Sequence, residues 1–428
     1  MTCDRPIALG IDVGTGGVRV SAITGNIVPA ESQVSFPHCK RTGLVHEQDT
    51  RSWWAAVIGC LKDVCRKVNG ERVIALAVDG TSGTILFVDH NGNPLTSGLM
   101  YDDYRASKEA TAIARALPSG AASHTAASPL AKALWLFHHQ TPHGPFFLTH
   151  QADWIAGRLC GRFGLTDENN ALKTGYDAVA RNWPAWLQGL DLPLSSYPLV
   201  FPVGTPYGRI HREIACSVGL SSACQVISGT TDSIAAFLAS GANEIGDAAT
   251  SIGTTLAIKM LVGQPAFDDA AGIYSHRLGE RWLIGGASNV GGAVLLEHFT
   301  VAEIEKLSSE IDPDIRTGLS YYPLSRPGER FPINDPTMVP RLEPRPTDRR
   351  IFLQAILEGL AEVERLAYQK LTEMSHARLG RVFTSGGVSR NPALTRLRAR
   401  ALQRPILVVN YGNSSVGAAR LAQGAIRI

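Results

Sequence analysis

No run of apolar residues in this chain approaches the roughly 18 needed to cross a bilayer as a helix. The start is a short polar lead-in, Thr2-Cys-Asp-Arg-Pro6, where a secretory leader would be basic and then apolar. Cysteine is scarce. The seven (Cys3, Cys39, Cys60, Cys65, Cys160, Cys216 and Cys224) form no Cys-x-x-Cys pair, which excludes the usual zinc spacing and fits reduced thiols in a cytoplasmic protein. Cys60 and Cys65 fall in one helical segment and read as buried structural thiols. Excess charge of one sign is missing too: 41 Lys+Arg against 38 Asp+Glu leave a net +3. With no dense basic run, neither a nucleic-acid nor a membrane-surface partner is expected. No glycine-rich stretch runs into Gly-Lys-Ser/Thr, so there is no P-loop.

What the chain has is length and alternation. Its 428 residues, 44% of them apolar, allow two or three domains with independent cores. The first landmark is Ile7-Ala-Leu-Gly-Ile-Asp-Val-Gly-Thr-Gly-Gly-Val-Arg-Val20. A buried strand runs to Asp12, a turn is built from Gly14, Thr15, Gly16 and Gly17, and a second apolar strand follows. The bare amides and the Thr15 hydroxyl of such a turn suit a phosphate, and Asp12 at its mouth suits Mg²⁺ held through water. A strand rather than a helix follows, so this is no Rossmann turn. The plan recurs at Thr250-Ser-Ile-Gly-Thr-Thr-Leu-Ala-Ile-Lys259, with Gly253, Thr254 and Thr255 at the bend. Two such hairpins in two halves indicate a duplicated unit with a nucleotide held between the copies.

Between the landmarks, strands and helices alternate, which means an α/β fold. Helices are expected from Trp53 to Lys67, from Arg105 to Ala116, at 128–140 and over Phe352–Glu373, and 167–177 reads as a polar loop. Residues 312–349, rich in Pro and Arg, read as surface loops. The chemistry-bearing candidates sit at strand ends. Gly229-Thr-Thr-Asp232 places a carboxylate between a strand and a helix, where it could take a proton from a hydroxyl or serve as a plain helix cap. Asp79-Gly-Thr-Ser-Gly83 offers short hydroxyls and amides suited to a polyol. Asp103 and Arg105 could grip sugar hydroxyls, or mark an exposed helix start. Gly386-Gly387 lets an adenosine lie against bare backbone, or is an ordinary turn. The Trp53-Trp54 pair reads as core.

Taken together these pieces resemble the FGGY family of carbohydrate kinases, from about Ile7 to the C-terminus. Ile11-Asp-Val-Gly-Thr15 is similar to that family's first phosphate loop, and Ser251-Ile-Gly-Thr-Thr255 to its second. Gly229-Thr-Thr-Asp232-Ser233 is similar to the junction carrying the catalytic base, and Ser385-Gly-Gly387 with Asn391 to the adenosine loop. Ser128-Pro-Leu-Ala-Lys132 with Trp135 partly matches a Lys-x-x-Trp signature, and Glu47-Gln-Asp49 with Trp53-Trp54 a stretch common in pentulose kinases. Thr81-Ser82 replaces the Arg-Glu pair of glycerol kinases. No histidine stands where xylulokinases usually carry Met-His. The Asp79 turn is closer to ribulokinase-like members, and the whole resembles the small D-ribulose kinases of cyanobacteria and plants.

The resemblance implies two actin-like (ribonuclease H-like) ATPase domains with an interdomain cleft. Residues 1–240 would bind sugar, with the C-terminal helix 412–428 packing back on them, and 241–411 would bind nucleotide. It implies ATP and Mg²⁺ as cofactors, a ketopentose as substrate, and a monomer or homodimer in the cytoplasm. Asp232 would be the base, with Asp12 and Thr15 beside it in the catalytic set. Asp12, Thr15, Ser82, Asp103, Arg105 and Asp232 would touch the sugar. Gly14, Thr15, Gly253, Thr254, Thr255, Gly386, Gly387 and Asn391 would hold the nucleotide, and Asp12 and Asp232 the metal. A D-xylulose or other polyol kinase stays open, as does an actin- or chaperone-like ATPase without a sugar. A sugar-sensing regulator is disfavoured by the lack of a helix-turn-helix segment.

Overall fold

Each half of the chain builds a six-stranded mixed sheet, and the two sheets follow one plan. The computed structural model describes residues 5–37, 41–118, 124–140, 142–409 and 412–424; Cys3, Cys39, most of the polar lead-in and the last four residues of the expected C-terminal helix lie outside these. Two units divide the chain. One takes the residues up to Ala239, Arg277–Gly279 and the chain from Asn413 onward; the other takes Ser240–His276 and Glu280–Gly412.

In the first unit the strand order is Pro206–Arg209, Gln225–Thr231, Val73–Gly80, Ile7–Val13, Gly17–Thr24, Ile27–Ser35. Ile7–Val13 pairs antiparallel with Gly17–Thr24 and parallel with Val73–Gly80. A strand covered on both faces must be apolar throughout, which is why Ile7–Val13 shows no polar alternation. Side chains still alternate by face. Leu9, Ile11 and Val13 join the core that holds Trp53, Val57 and Leu61 of the helix Thr50–Lys67. Gly10 faces the other way, against the C-terminal helix Ser414–Ala422. Asp12 shares that face. Trp53 is core, edge-on to Trp154 at 6.1 Å, with its indole N–H donating to Gln48 Oε1 at 2.6 Å. A four-stranded sheet (Glu47–Gln48, Gly98–Leu99, Ile85–Val88, Phe147–His150) builds a satellite core with the helix Pro129–His139.

The second unit orders its strands Tyr274–Leu278, Arg281–Ser288, Leu256–Val262, Ala248–Ile252, Val382–Ser385, Ile406–Val408. Here too an antiparallel hairpin pairs on one side with a third antiparallel strand and on the other with two parallel ones. The 27-residue helix Arg349–Ser375, capped by Asp348, covers it, and residues 310–348 contain no helix. This is the α/β two-domain architecture of actin-like ATPases.

One local expectation fails. Residues 167–177 are not all loop, because Glu168–Lys173 is a helix. Its polar composition hid the cap: Asp167 Oδ1 accepts from the amides of Asn169 at 2.8 Å and Asn170 at 3.1 Å. The residues that looked solvated (Asp167, Asn169, Asn170) are buried. Cys60 is buried and Cys65 partly so, and burial pushes the Cys65 thiol up to about 11, which keeps it protonated. Among the described residues no helix is long and apolar enough to cross a membrane.

Candidate active site

Three parallel strands of the first unit deliver polar groups to one row. Asp12 stands opposite Asp79 in register, and Asp79 opposite Thr230. Two residues later the strand Gln225–Thr231 gives way to the helix Asp232–Ala239, whose first residue is half-buried Asp232, with Oδ1 accepting from the Ser233 amide at 2.7 Å. Burial first, and then the charge of Asp232, pushes Asp12 up to about 6. Asp79 is fully buried, and burial, followed by the charges of Asp12 and Asp232, pushes it well above the carboxylate range. Neither Asp79 oxygen meets a donor. Its contact with Asp12 therefore becomes a hydrogen bond only when one of the two carries a proton.

That row makes stability depend on pH. An acid raised in the folded state holds more protons there than in the unfolded chain, so its contribution is present at low pH and lost as pH rises through the folded value. Asp79→Asn cannot ionise. Its stability relative to the wild type is expected to rise between about pH 4 and pH 8, by the 1–3 kcal/mol typical of a buried polar group without a partner. Paired thermal melts across that range check this, and a difference that does not change with pH would mean Asp79 ionises normally.

Next to the row lies the turn Thr81–Thr84. Gln151 Oε1 accepts from Thr81 N at 3.1 Å and from Thr81 Oγ1 at 2.9 Å. Fully buried Lys132 donates to the carbonyls of Gly83 at 2.6 Å and Met100 at 2.7 Å. Desolvation lowers Lys132 to about 7 against the opposing pull of Asp103. Ser82 is left half-exposed at the tip. Asp103 is not at an exposed helix start. It is fully buried, accepting from the His46 amide at 2.8 Å and from Arg105 through Nε and Nη2. Arg105 also donates to Glu47 at 2.7 Å and lies over the Trp135 ring at 4.6 Å. The charge of Arg105 is thus shared with two carboxylates.

The first hairpin closes through Gly14 N donating to Gly17 O at 2.9 Å, leaving Thr15 exposed at its tip. The second closes the same way, Gly253 N to Thr255 O at 3.0 Å, with Gly253, Thr254 and Thr255 all exposed. Gly386 has φ +98°, a left-handed conformation, and a Cβ there would collide with the Ile252 carbonyl. Glycine is required where the Gly386–Gly387 turn passes the strand that leads into Gly253.

Between these turns and the helix Val301–Ser309 the second unit holds a cavity of about 840 Å³. Gly253, Thr254, Gly387 and Asn391 line it with Leu296, Val301 and Ile304; Thr255 and Gly386 do not. An apolar wall beside bare backbone and a few polar atoms is the usual make-up of a nucleoside site. The Asn391 side chain is committed elsewhere: Oδ1 caps the helix Pro392–Leu402, and Nδ2 donates to Ser308 Oγ at 2.7 Å. Asn391→Ala is expected to cost about 1 kcal/mol of stability through the lost cap, which paired thermal melts check.

Asp79, Gln151 and Lys132 are the side chains the motifs did not assign. Asp79 had a signal, since Asp12 and Asp79 each close an apolar strand, and Lys132 a partial Lys-x-x-Trp match; Gln151 had none short of the fold. Among the described residues no three His, Cys, Asp or Glu are placed to ligate a metal. The partly buried carboxylate of Asp12 nonetheless fits Mg²⁺ brought in with its own water and phosphate ligands.

The N-terminal domain of the FGGY family of carbohydrate kinases matches residues 7–239, and the C-terminal domain of that family matches residues 248–426. A gluconokinase from Bacillus subtilis (strain 168) is 24% identical over 96% of this chain and 86% of its own. A xylulose kinase from Staphylococcus xylosus is 22% identical over 76% of this chain and 71% of its own. The crystal structure of ligand-bound xylulose kinase from Lactobacillus acidophilus superposes with a TM-score of 0.83 at 21% identity, covering 98% of this chain and 89% of that one.

Proposed function

The chain belongs to the FGGY family of carbohydrate kinases, and from that premise we propose that it phosphorylates a neutral ketopentose, D-ribulose before others, to the 5-phosphate. The observation that carries the choice is the buried acidic row of Asp12 and Asp79 ahead of Asp232. An aldonate such as gluconate would set its carboxylate beside Asp12 and Asp232 and need a free cation, and Arg105 is already paired with Asp103 and Glu47. The Asp79-Gly-Thr-Ser82 turn supports a ribulokinase-like pocket. Ser82 and Thr15 offer hydroxyls to the sugar, and the Asp103–Arg105 pair borders it.

Asp232 accepts the proton of the C5 hydroxyl as that oxygen bonds to the γ-phosphorus. The bond from phosphorus to the bridging oxygen breaks, and ADP leaves with the electron pair. The turns at Gly14–Thr15 in the first unit and Gly253–Thr255 in the second each offer backbone N–H and threonine hydroxyl groups to a phosphate, and Gly386, Gly387 and Asn391 shape the adenosine site. Asp12, with Asp232, would hold the water shell of a Mg²⁺ ion bound with the nucleotide, which would supply neutralisation of phosphate charge. Positioning and charge neutralisation supply most of the rate in such transfers. In this reading the first unit is the sugar lobe and the second the nucleotide lobe of a cytoplasmic enzyme.

ADP release measured with D-ribulose, D-xylulose, L-ribulose, gluconate and glycerol tests the reading. The highest kcat/KM is expected for D-ribulose. A preference for D-xylulose would keep the mechanism and change the sugar, and a preference for gluconate would overturn the charge argument. ADP release independent of every sugar would make the chain an actin- or chaperone-like ATPase.

A further inference from the structure

The second unit buries an ion pair whose side-chain hydrogen bonds run to residues other than those lining the cavity. Glu364, on the helix Arg349–Ser375, and Arg398, on the helix Pro392–Leu402, are both fully buried. They pair twice, Arg398 Nε to Glu364 Oε2 at 2.6 Å and Nη2 to Oε1 at 2.7 Å. Their remaining hydrogen bonds run into the sheet. Arg398 Nη1 donates to Thr384 Oγ1 at 2.8 Å, and Thr384 Oγ1 in turn donates to the Thr250 carbonyl at 3.3 Å. Thr250 Oγ1 donates to Glu364 Oε1 at 2.5 Å and lies 2.7 Å from the Tyr368 hydroxyl.

Thr250 and Thr384 face each other in the parallel pair of Ala248–Ile252 with Val382–Ser385. The first strand runs directly into Gly253–Thr255 and the second into Gly386–Gly387. Arg398 sits two turns into the helix that Asn391 starts at the cavity. One buried network thus fixes the two strand ends from which both nucleotide turns spring, together with the helix that closes the site.

We propose that Arg398 and Glu364 are positioning residues for the nucleotide, setting the spacing of the 253–255 and 386–387 turns without touching ATP. A pair buried this deeply is a poor device for stability alone, because desolvating two charges offsets much of their attraction. Well-packed apolar replacements of such pairs are often neutral or stabilising. What apolar side chains cannot supply is a directed bond to both threonines at once.

The proposal rests on reading the two turns as the ATP site, and the experiment separates the two ideas. In the 428-residue chain, Arg398→Met with Glu364→Met removes both charges together, and Thr384→Val removes the bridge from arginine through Thr384 to the Thr250 carbonyl while leaving the ion pair. ATP affinity is measured by calorimetry without sugar, beside the KM for sugar and the melting temperature. Residues that act on a site through others shift its affinity by about three- to tenfold. The expected result is that loss for ATP in both variants, with the sugar KM within about twofold and Thr384→Val folded but melting lower, since one buried Arg398 N–H loses its acceptor. Should the double variant fail to fold, Thr384→Val alone decides. Folded variants that bind ATP as the wild type does would overturn the positioning role. A wild type that binds no ATP would overturn the reading of the turns instead.

Discussion

Asp232→Asn is expected to lower kcat by about 10²–10⁴-fold, the range for removing a general base, with the KM values for sugar and ATP changed only a few-fold. Asparagine keeps the shape and the acceptor oxygen that meets the Ser233 amide, so the helix Asp232–Ala239 still starts at the same place. What disappears is the capacity to take a proton at the moment the sugar oxygen attacks. Because the interaction matters in the transition state more than in the ground state, the loss falls on kcat. A helix-capping role alone would give a different profile: kcat and melting temperature both near the wild type, because asparagine caps as well as aspartate. Full activity in Asp232→Asn would therefore remove this residue from the chemistry.

The two hairpins were legible because their signals are local. Apolar runs bracketing Gly-Thr turns announce strand, bend and strand within about a dozen residues, and both hairpins close at the glycines the sequence marks. The strand-to-helix junction at Asp232 was legible for the same reason. What could not be read was everything set by strand neighbours distant in sequence. The approach of Asp79 to Asp12 follows from a parallel pairing across some sixty intervening residues. The burial of Asp103 depends on the His46 amide, which no spacing rule connects to it. Lys132 carried a partial motif, yet its two carbonyl acceptors lie 49 and 32 residues away. The helix Glu168–Lys173 was missed for a subtler reason: buried polar side chains that satisfy one another have the composition of a loop.

Gly417→Ala is expected to destabilise the first unit by about 3 kcal/mol or more, the upper part of the range for forcing atoms into a filled core. The C-terminal helix Ser414–Ala422 is seated by absent side chains on both flanks. A Cβ on Gly417 would overlap the Ala235 carbonyl, and one on Gly10 would overlap the Ser415 carbonyl and the Ala419 amide nitrogen. All of these are backbone atoms in regular elements, so no rotamer change relieves the clash. The helix is also tied by polar bonds, Ser415 Oγ to Ser21 Oγ at 2.8 Å and Ser414 Oγ to the Asp232 carbonyl at 3.1 Å. Pushing it outward therefore pulls on the residue that starts the Asp232–Ala239 helix, and kcat should fall along with stability. Gly189→Ala is the control, since a Cβ there meets nothing within 4 Å, and it should stay within about 0.5 kcal/mol. Urea titrations of both variants decide. Equal midpoints for Gly417→Ala and the wild type would show that the helix can shift without cost, and the close seating of the C-terminal helix would then have no energetic meaning.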